Sequence, residues 1–154
     1  MENKNSLPEE LLDSWLNISM KLWNERCVSR LSYNESLVCH LLNAKRLADP
    51  AHPHLTLMQL SKETGILKSQ MNKTITSLEE RGMITRVRST EDKRIVYITL
   101  LDNKENDFYI QHEEILRIVN HVIGDIGTEK AAAAIDIFNS IAESMTGYME
   151  ENDL

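Results

Sequence analysis

Residues 55–100 read LTLMQLSKETGILKSQMNKTITSLEERGMITRVRSTEDKRIVYITL, and this stretch decides the fold. Thr56-Leu57-Met58-Gln59 is a capping box, a hydroxyl followed three residues later by a side chain that can reach back. It predicts a short helix over 57–64, stopped by Gly65, where a left-handed residue closes the last turn. A second helix is predicted over 68–81, stopped by Gly82. Two short helices joined by a tight glycine-containing turn are the helix-turn-helix pattern. Beyond Gly82, Ile84-Thr85-Arg86-Val87-Arg88 alternates with period two, as a half-exposed strand does. Ser89 to Arg94 is polar and turn-like, and Ile95 to Leu100 is β-branched and aromatic. The two runs predict a hairpin.

Outward from this centre the chain reads as helix. Ser6-Leu7-Pro8-Glu9 and Ser32-Tyr33-Asn34-Glu35 are two further capping boxes. Leu11, Trp15, Ile18 and Leu22 follow the first at helical spacing, and Leu37, Leu41 and Leu42 follow the second. Asp49-Pro50-Ala51-His52-Pro53 enforces a loop. On the C-terminal side a helix is predicted over 104–124, its end bracketed by Gly124 and Gly127. Thr128 is placed to cap a last helix through about Tyr148.

On a helical wheel, Leu67, Met71, Ile75 and Leu78 gather on one side as the core face. Ser69, Asn72, Lys73, Thr76 and Glu80 fall opposite, with Gln70 and Ser77 on one flank. A face rich in uncharged hydrogen-bonding groups suits the DNA major groove. Gln and Asn pair bidentately with adenine, Ser and Thr adapt to several base edges, and Lys takes guanine or phosphate. An ordinary solvated helix face would look the same in isolation. Charge adds to the case, because residues 66–94 hold seven bases against four acids, a local +3 in a chain of net charge -7. A local positive field matters more for nucleic acid than the net value.

From Leu57 to Leu101 the chain resembles the MarR family of winged-helix regulators. The Leu78-Glu79-Glu80-Arg81-Gly82 ending of the second short helix and the hairpin motif Asp92-Lys93-Arg94 carry the resemblance most clearly. The resemblance implies a mainly α fold with a small β-wing. Its DNA-binding lobe would span residues 32–103, and a helical dimerisation lobe would draw on residues 1–31 and 104–154 within one domain. It implies a bacterial regulator, a repressor above all, that holds a palindromic double-stranded operator as a homodimer. The recognition-helix candidates are Ser69, Gln70, Asn72, Lys73 and Thr76. In the wing, Arg94 is the minor-groove candidate, with Asp92 as its structural partner, Arg86 and Arg88 meet phosphates, and Lys93 is a further DNA-binding candidate. Two positions depart from the family pattern. Leu67 stands where a capping residue is usual, and Leu101 displaces the usual threonine, which leaves Asp102 to cap the following helix.

The last helix is apolar over a wide arc, from Ala131 through Ile135, Phe138 and Ile141 to Met145 and Met149, which predicts burial against a second copy. The resemblance also implies control by a small aromatic or anionic effector, for which Trp15, Trp23 and Cys39 are the pocket candidates. Core packing accounts for these three equally well. Redox sensing through Cys27 or Cys39, and metal sensing through His40, His52, His54, His112 or His121, are weaker alternatives. Two cysteines make no disulfide framework, and no histidine pair has metal-protease spacing. No cofactor is expected. Nor is enzymatic activity, since the chain holds no glycine-rich phosphate loop or nucleophile elbow, and the adjacent pairs Glu79-Glu80 and Glu113-Glu114 diverge on their helices. No apolar run approaches a membrane span, and the polar opening MENKNSLPEE has no leader pattern, which predicts a cytoplasmic protein. The remaining alternative from another class is a winged-helix module that binds a protein and not DNA.

Overall fold

A computed structural model describes residues 6–24 and 29–153. Along the chain run α1 (Leu7–Leu22), α2 (Tyr33–Ala48), β1 (His54–Thr56), α3 (Leu57–Thr64), α4 (Lys68–Glu80), β2 (Ile84–Arg88), β3 (Val96–Leu100), α5 (Asp107–Ile126) and α6 (Thr128–Glu151). The predicted caps explain where the first helices begin. The Ser32 amide donates to Glu35 Oε2 at 2.8 Å and the Glu35 amide to Ser32 Oγ at 3.3 Å. Thr56 and Gln59 exchange the same pair of bonds at 2.8 and 3.1 Å. At α1 the Ser6 amide donates to Glu9 Oε2 at 3.2 Å. Gly65 ends α3 with φ of 69°, a left-handed conformation that costs glycine little.

The fold is mainly helical with a small antiparallel sheet of order β1-β3-β2. The wing ladder runs from Ile84 opposite Leu100 to Arg88 opposite Val96. β1 pairs with the other side of β3, placing Leu55 opposite Ile98. This third strand escapes a sequence reading because three residues are too few to show alternation. Pro53 precedes the first paired residue, so its missing N–H removes nothing from the ladder.

The chain divides into two compact units, Met1–Glu113 and Glu114–Leu154. The first holds the core. Val38, Cys39 and Leu42 of α2 meet Leu60 of α3, Met71, Ile75 and Leu78 of α4, and Met83, Ile84, Ile98 and Leu100 of the hairpin; Phe108 and Tyr109 complete it. The second unit contains the rest of α5 and all of α6, a helix that buries none of its residues.

Three expected helix ends move. α5 starts at Asp107, not near 104, and its cap is not Asp102: Asn106 Oδ1 accepts from the Tyr109 amide at 3.1 Å. Asp102 instead pairs with Arg46 at 3.5 Å and Lys104 at 3.8 Å, and a carboxylate drawn to two cations is not available to the helix. Gly124 lies inside α5, which continues to Ile126; the break falls at Gly127, whose φ of 88° no helix accommodates. Gly127 is itself the N-cap of α6, and Thr128 is already helical, so its hydroxyl does not cap.

Candidate nucleic-acid interface

The faces of α4 separate as the 3.6-residue period demands. Met71, Thr74, Ile75 and Leu78 are buried. Ser69, Gln70, Asn72, Lys73 and Glu80 are exposed and Thr76 is half-buried. Thr74 sits safely on the buried side because its hydroxyl donates to the Gln70 carbonyl at 3.0 Å. Leu67 departs from the expected core face, with 73% of its surface exposed. Its ψ of 144° is extended, so the wheel does not apply to it, and the neighbouring Ile66 packs against the core in its place. An open groove runs beside α4, where Ser32 and Asn34 from the start of α2 join Gln70 and Lys73. Asn34 is not among the sequence candidates; only the crossing of α2 over α4 brings it there.

The wing tip is a hydrogen-bonded turn. The Ser89 amide donates to the Ile95 carbonyl and the Ile95 amide to the Asp92 carbonyl, each at 2.9 Å. Ser89 Oγ accepts from the amides of Glu91 and Asp92 at 3.2 and 3.3 Å. Asp92 Oδ1 accepts from the Arg94 amide at 3.0 Å and from Arg94 Nε at 3.2 Å. The aspartate thus holds the root of the arginine through turn geometry, not through a shared strand face. Beyond that anchor the Arg94 side chain is 92% exposed. Lys93 and Arg88 are also exposed. Past Ile84, every residue of β2 is exposed, including Val87, because this strand projects beyond the core and both of its faces are wet.

Arg86 lies on β2 as expected, but with a partner that the sequence did not name. Its Nε donates to Glu79 Oε2 of α4 at 2.8 Å, and its Nη2 donates to the same oxygen. These hydrogen bonds hold the Glu79 carboxyl below its ordinary range. Arg86 therefore ties β2 to α4 and cancels an acidic charge beside the exposed polar side chains of that helix.

A polar network that sequence reasoning missed fixes the far end of α4. Glu35, nearly buried, accepts from Ser77 Oγ at 2.7 Å and from Arg81 Nη1 at 3.2 Å. Arg81 Nη2 donates to the Arg30 carbonyl at 2.9 Å and to Asp107 Oδ2 at 2.7 Å. Gln111 Oε1 accepts from the amides of Arg30 and Leu31 at 3.2 Å each, and its Nε2 donates to Ser36 Oγ at 3.0 Å. Burial pushes the Glu35 carboxyl up, but bonds from Ser32 and Ser77 and the charge of Arg81 outweigh it and hold the group below its ordinary range. The Arg81 hydrogen bond does the same for Asp107. A hint lies in the sequence, since Arg81 belongs to the Leu-Glu-Glu-Arg-Gly motif, but nothing there names its partners.

The sensor candidates separate. Cys39 is fully buried in the core, and burial pushes its thiol up to about 12. Such a group offers a ligand no surface and an oxidant little thiolate. In the folded protein a maleimide is expected to leave Cys39 unlabelled until denaturant is added, which mass spectrometry of its peptide would check. Cys27 lies outside the described residues. Trp15 is exposed on α1, and Trp23 packs edge-on against Tyr33 with ring centres 4.9 Å apart. Among the described residues no group of three or more His, Cys, Asp or Glu side chains could hold a metal ion, and no helix is long and apolar enough to cross a membrane.

This arrangement of helix pair, polar α4 face and hairpin has known counterparts. The family model described as MarR family matches residues 50–95, which run from the start of the loop before β1 to the wing tip. The centre of the chain is thus similar to the MarR family, over about a third of its length. Several solved structures share its fold along nearly the whole chain. PcaV, a transcriptional regulator from Streptomyces coelicolor solved with its natural ligand, superposes with a TM-score of 0.67 at 19% identity, covering 94% of this chain and 98% of PcaV. NadR in complex with 4-hydroxyphenylacetate gives 0.68 at 18% identity, over 92% and 96% of the two chains. FabT from Streptococcus pneumoniae, solved in complex with DNA, gives 0.63 at 21% identity, over 91% and 96%. The structures this chain resembles thus include one solved with DNA and two solved with a small molecule.

Proposed function

We propose that this chain is a sequence-specific transcriptional regulator that binds double-stranded DNA as a homodimer, and that it represses from a palindromic operator until a small aromatic or anionic effector releases it. The observation that carries this reading is the pairing, in one compact unit, of an exposed polar α4 face with a braced and exposed Arg94. Ser69, Gln70, Asn72, Lys73 and Thr76 read base edges in the major groove, Arg94 enters the minor groove, and Arg88 and Lys93 meet phosphates. Asp92 and Arg86 position the others. The DNA complex of FabT supports the partner class, and the ligand complexes of PcaV and NadR support the effector class.

Dimerisation is supported by apolar surface that each terminal helix leaves in water. α1 buries no residue and exposes Leu11, Leu12, Trp15, Leu16 and Ile18. α6 exposes Ile135, Phe138, Met145 and Met149, and the second half of α5 exposes Val119 and Val122. Surfaces of this kind mark association. A two-fold dimer presents two recognition helices about one DNA turn apart, which matches a palindrome.

Selection from random duplexes tests the reading directly: a palindromic sequence should be enriched, and enrichment of nothing would refute sequence-specific binding. With the selected duplex in hand, Gln70→Ala and Asn72→Ala are each expected to alter base preference at a single position per half-site. Each bidentate base pairing removed should cost about 1–3 kcal/mol of discrimination. Repeating the selection with each variant would check this; an unchanged preferred sequence would remove that residue from the reading set.

A further inference from the structure

Leu67 sits at the N-cap of α4 with 73% of its surface in water. Its carbonyl accepts the first helical bond, from the Met71 amide at 2.8 Å, but its side chain caps nothing. The position therefore forgoes the hydroxyl or carboxylate that would satisfy an open amide, and holds a large apolar group in solvent instead. Folding does not account for it, since Ile66 already packs against the core at this turn. Immediately after it come the exposed side chains of Lys68, Ser69 and Gln70.

We propose that Leu67 is a base-reading residue that packs against the 5-methyl group of a thymine in each half-site of the operator. The assignment rests on the DNA-regulator reading and deepens it. Residues at the leading end of a recognition helix are those that meet base edges. The thymine methyl is the apolar feature of the major groove, and the one that distinguishes thymine from cytosine without a hydrogen bond. An uncapped leucine at that end has the chemistry to meet it, while Ser69 and Gln70 take the polar edges beside it.

The test uses the 154-residue chain and a duplex recovered by selection, with each thymine replaced in turn by deoxyuridine, which lacks only the methyl. Affinities are measured by fluorescence anisotropy for the wild type, Leu67→Ala and Leu67→Ser. One symmetry-related thymine is expected at which methyl removal weakens wild-type binding about fourfold per half-site, the worth of one buried methyl group. Neither variant should lose anything further there. Leu67→Ser should also raise the melting temperature by restoring the cap, so stability and discrimination move in opposite directions. Wild type and Leu67→Ala losing equally at every deoxyuridine, or neither losing at any, would overturn the Leu67 assignment and leave the regulator standing. A selection that enriches no duplex would overturn both.

Discussion

Arg94→Ala is expected to weaken binding to the selected duplex by about tenfold per protomer, and so about a hundredfold for a dimer that uses both wings. The effect should be broad, falling on related and unrelated sequences alike, because the minor groove is read through its negative potential more than through base identity. The salt dependence of binding should become shallower with it. The expectation that this arginine outweighs its neighbours follows from its geometry: its root is fixed by two bonds to Asp92 while nearly all of its side chain projects into solvent. Asp92→Ala should therefore give a smaller loss of the same character, since the charge survives without its orientation. Anisotropy titrations across a salt series separate the two. Equal affinity of wild type and Arg94→Ala at every salt concentration would remove the wing from the interface.

Arg81→Ala should produce the largest loss of stability among the site variants, about 2 kcal/mol, or about 4–8 °C in melting temperature. Its guanidinium spans Glu35, Asp107 and the Arg30 carbonyl, and removing it strands a nearly buried carboxylate. Lysine cannot reach three acceptors in one plane, so Arg81→Lys should recover only part of the loss. The network also predicts a pH dependence. Glu35 and Asp107 both titrate below their ordinary range in the folded protein. Their contribution is complete above the ordinary carboxylate range and disappears as pH falls through the lowered folded values. Glu35 should supply the larger part, its side chain being 10% exposed against 39% for Asp107. Urea melts at a series of acidic pH values should then show a steep fall for the wild type and a flatter profile for Arg81→Ala. Identical profiles would show that the pair does not stabilise the fold through charge.

Much of the architecture is legible because it is written locally. The two capping boxes at Ser32 and Thr56, the stop at Gly65 and the apolar period of Met71, Ile75 and Leu78 each involve residues within one helical turn or two. What cannot be read depends on pairing across the chain. β1 exists only because β3 offers it a second edge. The partner of Arg86 is Glu79, seven residues earlier but on a different element. Glu35 and Arg81 are 46 positions apart, and no periodicity brings them together. Asp102 is drawn from its expected capping role by Arg46 for the same reason. Leu67 falls on the wrong face of the wheel because the helical period does not extend to a residue whose backbone is still extended.

The sheet order leaves β2 with one edge unpaired among the described strands, and past Ile84 the strand is exposed, Val87 included. An open strand edge invites another polypeptide to add itself to the ladder. Here the exposed Arg88 stands on that strand, so a second copy aligned edge to edge about it would bring like charges together. A cation on the wing thereby disfavours polymerisation through the protein's own sheet, a safeguard that matters most if its apolar helices pair two copies as proposed.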